Sequence, residues 1–276
     1  MKRQNNVGKS SPLFVFNGMA MFIGSSLNTD PHKHDCLQLT IDLNGKFLMK
    51  GLDQEWVSYA SSIVSSDYIH QLDSNGSQQL FIYLDKHTDY ARLLKEKYLA
   101  NEPIAKLDLP NGTISPDDLA KMMVNQVCID WHHQGLAILS MASGRQRKPK
   151  RDGRVEIAMN EITSMKFFPP DLISQLASRV CLSESRLRHV FKEHTGQSIK
   201  SFILWAKMTR SLDLIMKGEK IVDASRKSGF WDGAHFDKTM HKLLGVSPGA
   251  IENFSESFKM KTCATEDFFM TTEIIS

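Results

Sequence analysis

The sequence lacks any long hydrophobic run. No stretch approaches the ~18 consecutive apolar residues that a membrane helix needs, and the first residues, Met1 to Ser11, are polar and hold no signal-peptide segment. The hydrophobic fraction of 41% and the charged fraction of 24% are typical of a soluble folded protein. We therefore expect a cytoplasmic protein that has no membrane partner.

Cysteine is also scarce and widely spaced. The chain has four cysteines and no C-x-x-C pair, a pattern that indicates neither a zinc finger nor a disulfide framework. We expect reduced and mostly buried thiols at Cys36, Cys128, Cys181 and Cys263.

Net charge is only +3, but it is distributed unevenly along the chain. Residues 1–143 carry 12 Lys and Arg against 15 Asp and Glu, residues 144–262 carry 22 against 13, and residues 263–276 carry none against 3. The basic middle segment is typical of a protein that binds a polyanion, although a solvated basic face would give the same count.

The length of 276 residues favours two domains over one. Residues 143–153 are charged and contain no apolar side chain that could join a core, which predicts a linker. We therefore divide the chain into a first domain at 1–142, this linker, a second domain at 154–255 and a tail at 256–276.

Short strands are predicted in the first domain. Apolar and polar residues alternate from Cys36 to Leu43, which predicts a half-buried strand, and Asn44-Gly45 predicts a hairpin into Lys46–Met49. Further short strand-like runs are separated by turn-forming clusters, and such regular strands indicate a small β-barrel. These runs lie at 62–64, 68–72 and 80–84.

Two helices are predicted after the strands, at 89–99 and 116–133. The second begins with Ser115 as its cap and Pro116 in its first turn. Its apolar face could belong to the core or form a dimer seam, and we favour a seam partly packed on the barrel, hence a homodimer. That face consists of Leu119, Met122, Met123, Val127 and Trp131.

The second domain contains a helix-turn-helix pattern twice. In the first unit, a helix beginning near Asp171 is followed by a short turn and by a helix that Ser183 caps. In the second, a helix at 220–228 precedes the turn Gly229-Phe230-Trp231 and a helix that Asp232 caps. Each second helix has an apolar inner face and a polar outer face, which is typical of a DNA-reading helix.

A single long helix is predicted between the two units, at 198–217. At ~1.5 Å per residue it spans ~30 Å, close to the ~34 Å of one DNA turn. One chain could therefore place two helices in successive major grooves.

This domain resembles the AraC/XylS family of bacterial transcription regulators. The resemblance implies double-stranded DNA as partner, RNA polymerase as a second partner if the protein activates, and base-facing positions in both units. The matching residues are Leu176-Ala177, Leu182-Ser183, Leu187, Phe191, Thr195-Gly196, Ser198, Ile221, Gly229-Phe230, His235-Phe236, Lys238 and Gly245-Val246-Ser247-Pro248. The implied DNA-binding residues are Ser185, Arg188, His189 and Lys192 in the first unit and Gly233, Ala234, Asp237 and Lys238 in the second.

The chain departs from the family pattern in both units. Cys181 stands in the first turn where glycine is usual, at a position that often needs a positive φ. In the second unit, Gly233 and Ala234 offer almost no side chain to bases, and Asp237 would repel phosphate. We expect Arg188 to read a guanine edge and Lys238 to contact phosphate, so base discrimination should come mainly from the first unit.

The first domain contains a spacing that resembles the cupin motif: His32-x-His34-x-x-x-Gln38, followed by Gly45 and later by His70. In cupin enzymes two histidines, a glutamate and the later histidine bind a divalent metal. Here glutamine replaces the glutamate, and the glycine and proline of the second motif are missing. We expect an effector pocket formed by His32, His34, Gln38 and His70, with no metal and no cofactor.

Together these patterns predict an α+β protein with an N-terminal cupin-like β-barrel and a C-terminal all-α domain of two helix-turn-helix units. We interpret it as a sequence-specific DNA-binding regulator that responds to a small effector, not as an enzyme. Two alternatives stay open: a cupin-type metal-dependent enzyme fused to a DNA-binding domain, and a regulator whose barrel only dimerises. We also expect residues 144–262 to fold and bind DNA without the barrel.

Overall fold

The computed structural model describes residues 11–25, 28–110, 112–125, 127–144, 152–244 and 258–262. The predicted α+β class is confirmed, because strands dominate the first part of the chain and helices the second. In the described ranges, no helix combines the length and the apolar character that crossing a membrane requires. Most of the predicted linker and the whole motif Gly245–Pro248 lie outside the described residues.

The strands form two separate sheets. The larger has the order β10-β1-β2-β8-β3-β6-β9 and the smaller the order β5-β4-β7, so the described strands do not close into the single barrel that the sequence predicted. The strands are β1 (Ser11–Phe16), β2 (Met19–Ser25), β3 (Cys36–Asp42), β4 (Phe47–Gly51), β5 (Val57–Tyr59), β6 (Ser61–Val64), β7 (His70–Asp73), β8 (Gln78–Asp85), β9 (Ile104–Lys106) and β10 (Phe258–Thr262).

The predicted hairpin at Asn44-Gly45 is wrong. β3 pairs with β6 and β8 in the larger sheet, whereas β4 pairs with β5 and β7 in the smaller one, so this turn connects two sheets. The prediction that β3 is half-buried is also wrong, because Gln38 and Thr40 on its polar face are as buried as Leu37 and Leu39 on the other. The smaller sheet covers the polar face, which alternation alone could not reveal.

Three helices accompany the sheets, and all three contribute side chains to the core on the larger sheet. They are α1 (Asp89–Tyr98), α2 (Pro116–Asn125) and α3 (Cys128–Ser143). The predicted helix over 116–133 is therefore two helices. Leu94 of α1 and Trp131 and Ile138 of α3 share one core with Leu39 and Ile82 of the sheet.

The interpretation of the α2 face as a dimer seam is wrong at its centre. Met122 is 2% exposed and lies in the core, and its carbonyl accepts a hydrogen bond from Trp131 Nε1 at 3.0 Å. Leu119 and Met123 pack against the same core, and only Val127 is largely exposed. The break between α2 and α3 folds the apolar stripe back onto the sheet.

The second domain consists of six helices among the described residues. The first unit is built from α4 (Gly153–Ser164), α5 (Leu172–Arg179) and α6 (Glu184–Thr195), and the second from α8 (Ile221–Lys227) and α9 (Gly233–Leu244); α7 (Ile199–Met216) joins them. The predicted caps of the two recognition helices are present: Ser183 Oγ accepts from Arg186 N at 3.2 Å, and Asp232 Oδ1 accepts from His235 N at 2.7 Å. Asp171, the other predicted cap, precedes α5 but accepts no cap hydrogen bond through its side chain.

The turn of the first unit has a strained residue. Cys181 has φ 53°, at the position where the second unit has Gly229 with φ 79°. A side chain in this left-handed region lowers the free energy of unfolding by ~1–2 kcal/mol. Glycine avoids that cost but loses more conformational freedom on folding, which lowers the free energy of unfolding by ~0.5–1 kcal/mol. We expect Cys181→Gly to raise the free energy of unfolding by about 0.5–1 kcal/mol in urea denaturation. Cys181→Ala, which keeps the Cβ, should not, and an equal gain from both would contradict the strain.

The expectation of reduced, mostly buried cysteines is wrong at Cys128, which is disulfide-bonded. Cys36 is a buried free thiol and Cys181 an exposed one, and Cys263 lies outside the described residues. Spacing along the chain could not predict this bond, because residues far apart in sequence can meet in the folded protein.

Candidate nucleic-acid interface and histidine cluster

The recognition helix of the first unit presents a polar and basic outer face. Leu187, Val190 and Phe191 of α6 are buried. Arg188 Nη2 lies 3.0 Å from Glu184 Oε2, and His189 Nε2 lies 3.8 Å from Glu193 Oε2. The sequence prediction had not included these carboxylate partners, although their i, i+4 spacing signals them. The predicted residues Ser185, Arg188, His189 and Lys192 all reach solvent on this face.

The pairs on α6 leave Arg188 available to DNA. The Arg188 and Glu184 side chains are 40% and 47% exposed, and solvent-exposed i, i+4 pairs contribute only ~0.3–0.5 kcal/mol. A guanine edge, which offers two acceptors to the guanidinium, can therefore displace Glu184 at little cost. The pair lies on the outer face of α6.

The second recognition helix, α9, presents a smaller and less basic face. Ala234, Asp237 and Lys238 are exposed and Gly233 is partly buried, so all four predicted residues lie at or near the surface. Sequence reasoning placed Trp231 in the turn without a role, yet its side chain is 88% exposed immediately before α9. An exposed aromatic ring beside a basic helix was not signalled by any spacing rule.

Four predicted pocket residues of the first domain do come together. His34, Gln38 and His70 are buried and His32 is partly buried. The ring centroids of His32 and His70 are 4.4 Å apart, and those of His34 and His70 are 5.2 Å apart. The cluster joins the two sheets, because Gln38 belongs to β3 and His70 to β7.

Hydrogen bonds fix the tautomer of these rings. Nδ1 of His34 lies 2.9 Å from the Cys36 carbonyl, and Nδ1 of His70 lies 2.9 Å from the Tyr68 carbonyl. A carbonyl only accepts, so each Nδ1 carries the proton and each Nε2 of the neutral ring is an acceptor.

The two Nε2 atoms converge on the Gln38 amide. They lie 2.8 Å (His34) and 3.2 Å (His70) from Gln38 Oε1, while Gln38 Nε2 lies 3.0 Å from Thr40 Oγ1. Two acceptors facing an oxygen leave no donor, whereas the amide turned end for end gives one N–H to each ring and accepts from Thr40. The network is then fully satisfied by protein atoms.

The same histidines can also be tested as a metal site. The ligand atoms of His32, His34 and His70 all lie within 4.8 Å of one another. Three imidazoles held through Nδ1 by carbonyl groups, His32 by that of Asp30 at 3.0 Å, are a donor set that fits a zinc-like divalent ion once the Gln38 amide has left the Nε2 atoms of His34 and His70. The neutral Gln38 supplies no charge in place of the missing carboxylate.

Burial makes the cluster sensitive to acid. Burial, together with charge repulsion from His32, lowers the pKa of His70 to about 3, and burial also lowers the pKa of His34. Because the unfolded pKa is ~6.5, the folded state binds fewer protons below that pH. Its stability is complete above pH 6.5 and falls as the pH drops from 6.5 toward 3.

We expect the free energy of unfolding to fall between pH 7 and pH 5 by up to ~1.4 kcal/mol per pH unit for each of these histidines below pH 6.5. Urea denaturation across this range measures it. His70→Gln, which does not titrate, should make the decline shallower. A decline unchanged in that variant would contradict the assignment of the effect to His70.

Residues 176–259 match a family described as "Helix-turn-helix domain". Their recognition helices, caps and turns are those that the sequence resemblance implied. These residues are a helix-turn-helix domain of the AraC type. The resemblance predicted from the sequence is therefore confirmed for this part of the chain.

The chain is also similar to curated transcription regulators. It is 31% identical over 101 residues to the arabinose operon regulatory protein of Salmonella typhimurium, a match that covers 36% of each chain. It is 34% identical over 77 residues to the Msm operon regulatory protein of Streptococcus mutans, covering 28% of each. The chain thus spans about a third or less of the length of these relatives.

Among solved structures, ToxT of Vibrio cholerae is similar over most of the chain. The crystal structure of the protein from strain O395 covers 86% of this chain and 97% of its own, at 12% sequence identity and a TM-score of 0.43.

Proposed function

We propose that the protein is a sequence-specific DNA-binding transcription regulator of the cytoplasm. The observation that carries this proposal is the pair of helix-turn-helix units, each with a solvent-facing recognition helix, joined by α7. At ~1.5 Å per residue the 18 residues of α7 span ~27 Å, which suits helices in successive major grooves. The DNA-binding domain then corresponds to 154–255 and the sensing domain to 1–142.

Selection from a pool of random duplexes tests this function. The full chain should enrich a motif with two half-sites about one DNA turn apart. Base preference should be stricter in the half-site under Ser185–Lys192 than in that under Gly233–Lys238, because the second unit has little side chain to read bases. A pool that stays random after repeated rounds would refute the function, and a stricter second half-site would refute the unequal roles.

We further propose that the cluster of His32, His34, Gln38 and His70 binds a small-molecule effector. Its support is that the cluster joins the two sheets, where an occupant that displaces the Gln38 amide from the His34 and His70 rings would alter their packing. A thermal scan of the full chain with candidate compounds tests it, because a ligand that binds the folded state raises the midpoint. Stabilisation by such a compound should disappear in the Gln38→Leu variant. Stabilisation by Zn²⁺ alone, together with metal-dependent turnover, would favour the enzyme alternative instead.

The homodimer also remains a proposal. With Met122 in the core, an interface would need another surface of the first domain, and Val124 and Val127, 80% and 44% exposed, offer apolar side chains there. Sedimentation of the full chain at increasing concentration would detect the dimer.

RNA polymerase is a partner only if the regulator activates transcription. Transcription in vitro from a promoter that carries a selected site would show whether it does.

A further inference from the structure

The two helix-turn-helix units differ in how their cores are built. The core of the first unit contains residues of α4 to α7 and of their connections, such as Val155, Leu176 and Phe191. The core of the second unit also contains three buried residues of the N-terminal sheet. Those residues are Val15, Ala20 and Cys36, and they share a cluster with Trp205, Met208, Leu212, Ile215, Phe236 and Met240.

A buried carboxylate of the sheet holds α7 where the two units meet. Asp85, at the end of β8, is 2% exposed. Its Oδ2 accepts hydrogen bonds from Ser201 Oγ and Trp205 Nε1, both at 2.6 Å, and its Oδ1 accepts from His87 N at 2.9 Å. Hydrogen bonds to an ionised acceptor are roughly twice as strong as neutral ones. The two bonds to α7 exist only while the helix lies on the sheet.

The chain returns to the same sheet after α9. β10 pairs in parallel with β1, from Ser11 opposite Phe258 to Val15 opposite Thr262. The second unit is thus attached to the sheet at both ends, through α7 before α8 and α9 and through β10 after them. The first unit has contacts to the sheet domain near the start of α7, including Asn17 Nδ2 to the Phe202 carbonyl at 3.3 Å, but no described sheet residue enters its core.

We propose that the N-terminal sheet is a structural part of the second helix-turn-helix unit and places α9 on DNA, with Asp85 as the positioning residue, whereas the first unit binds independently. This inference rests on the proposed DNA-binding function. It also limits the expectation that residues 144–262 suffice: such a fragment contains the whole core of the first unit and lacks Val15, Ala20 and Cys36 of the second.

Two substitutions in the full chain separate the sheet from α7. Asp85→Asn keeps an oxygen for His87 N but turns an amide donor toward Ser201 Oγ, which can rotate to accept, and toward Trp205 Nε1, which can only donate. Ala20→Glu places a charge in the shared cluster, where water can reach it only after α7 has left the sheet. The matched control is Asp53→Asn, an exposed aspartate with φ 57° that asparagine adopts readily.

The readout is the effect of a second substitution on affinity for a duplex selected by the wild-type chain. With Asp85 intact or in the Asp53→Asn control, Lys238→Ala should weaken binding and lower the salt exponent by about 1. In Asp85→Asn and Ala20→Glu chains, Lys238→Ala should cause no further loss. Arg188→Ala should cost the same factor, ~5- to 150-fold, in every chain.

Each other outcome has a distinct meaning. An equal cost of Lys238→Ala in every chain would overturn the proposal, and so would tighter binding by the two sheet variants, which would indicate inhibition by the sheet. Loss of the Arg188 effect in both variants would overturn the independence of the first unit. If the Arg188→Ala effect is lost only in the Asp85→Asn chain, that chain has unfolded, and the result for the Ala20→Glu chain tests the proposal. Failure of every chain, wild type included, to bind any selected duplex would instead refute the proposed function.

Discussion

Replacing Met122 with aspartate should unfold the N-terminal domain and not release a folded monomer. Removing a buried methionine side chain costs ~2–5 kcal/mol, and an unpaired buried charge adds several more. The sum is comparable to the ~5–15 kcal/mol that stabilises a typical domain. Circular dichroism and urea denaturation of the full chain would show the loss.

The control for this substitution lies on the same helix. Lys121 of α2 is exposed, whereas Met122 is 2% exposed, so Lys121→Asp should change the free energy of unfolding by no more than ~0.5 kcal/mol. A folded Met122→Asp monomer with near wild-type stability would contradict the core assignment and restore the dimer seam.

Replacing Arg188 with alanine should reduce the discrimination between selected and random DNA. A bidentate contact to guanine contributes ~1–3 kcal/mol, so affinity for the selected duplex should fall ~5- to 150-fold, with a much smaller loss on a scrambled duplex. Fluorescence anisotropy with both duplexes at one salt concentration measures this.

Arg179 supplies a matched control. It is an exposed arginine at the end of α5, paired with Glu161 at 2.8 Å as Arg188 is with Glu184. Arg179→Ala removes the same charge outside the recognition helix and should reduce binding to both duplexes by one common factor. If Arg188→Ala also weakened both equally, Arg188 would be a phosphate contact and base reading would lie elsewhere.

The helical domain could be predicted because its signals are local. The caps Ser183 and Asp232, glycine at the turn of the second unit and the apolar period of α7 each lie within a few residues of the feature that they determine. The positive φ of Cys181 follows from its place in such a turn. The histidine cluster was likewise predicted from spacing, since His34 and Gln38 lie on one short stretch of chain.

The rest depended on contacts between distant residues. The residues near Asn44 do not indicate that β4 pairs in a different sheet from β3. The residues near Met122 do not indicate that Trp131 of α3 packs against it. Asp85 and Trp205 are separated by the whole first unit of the second domain, yet they form one hydrogen bond. Side-chain periodicity identifies an apolar face but not the surface that covers it.

The most direct test of the DNA-binding account is the affinity of the full chain for its selected duplex and for a scrambled duplex as salt is varied. Log affinity should fall linearly with log salt, with a slope of about −0.9 per phosphate contacted. The selected duplex should bind ~10³-fold or more tightly than the scrambled one. Equal affinities, or an affinity that does not change between low and moderate salt, would contradict the central claim.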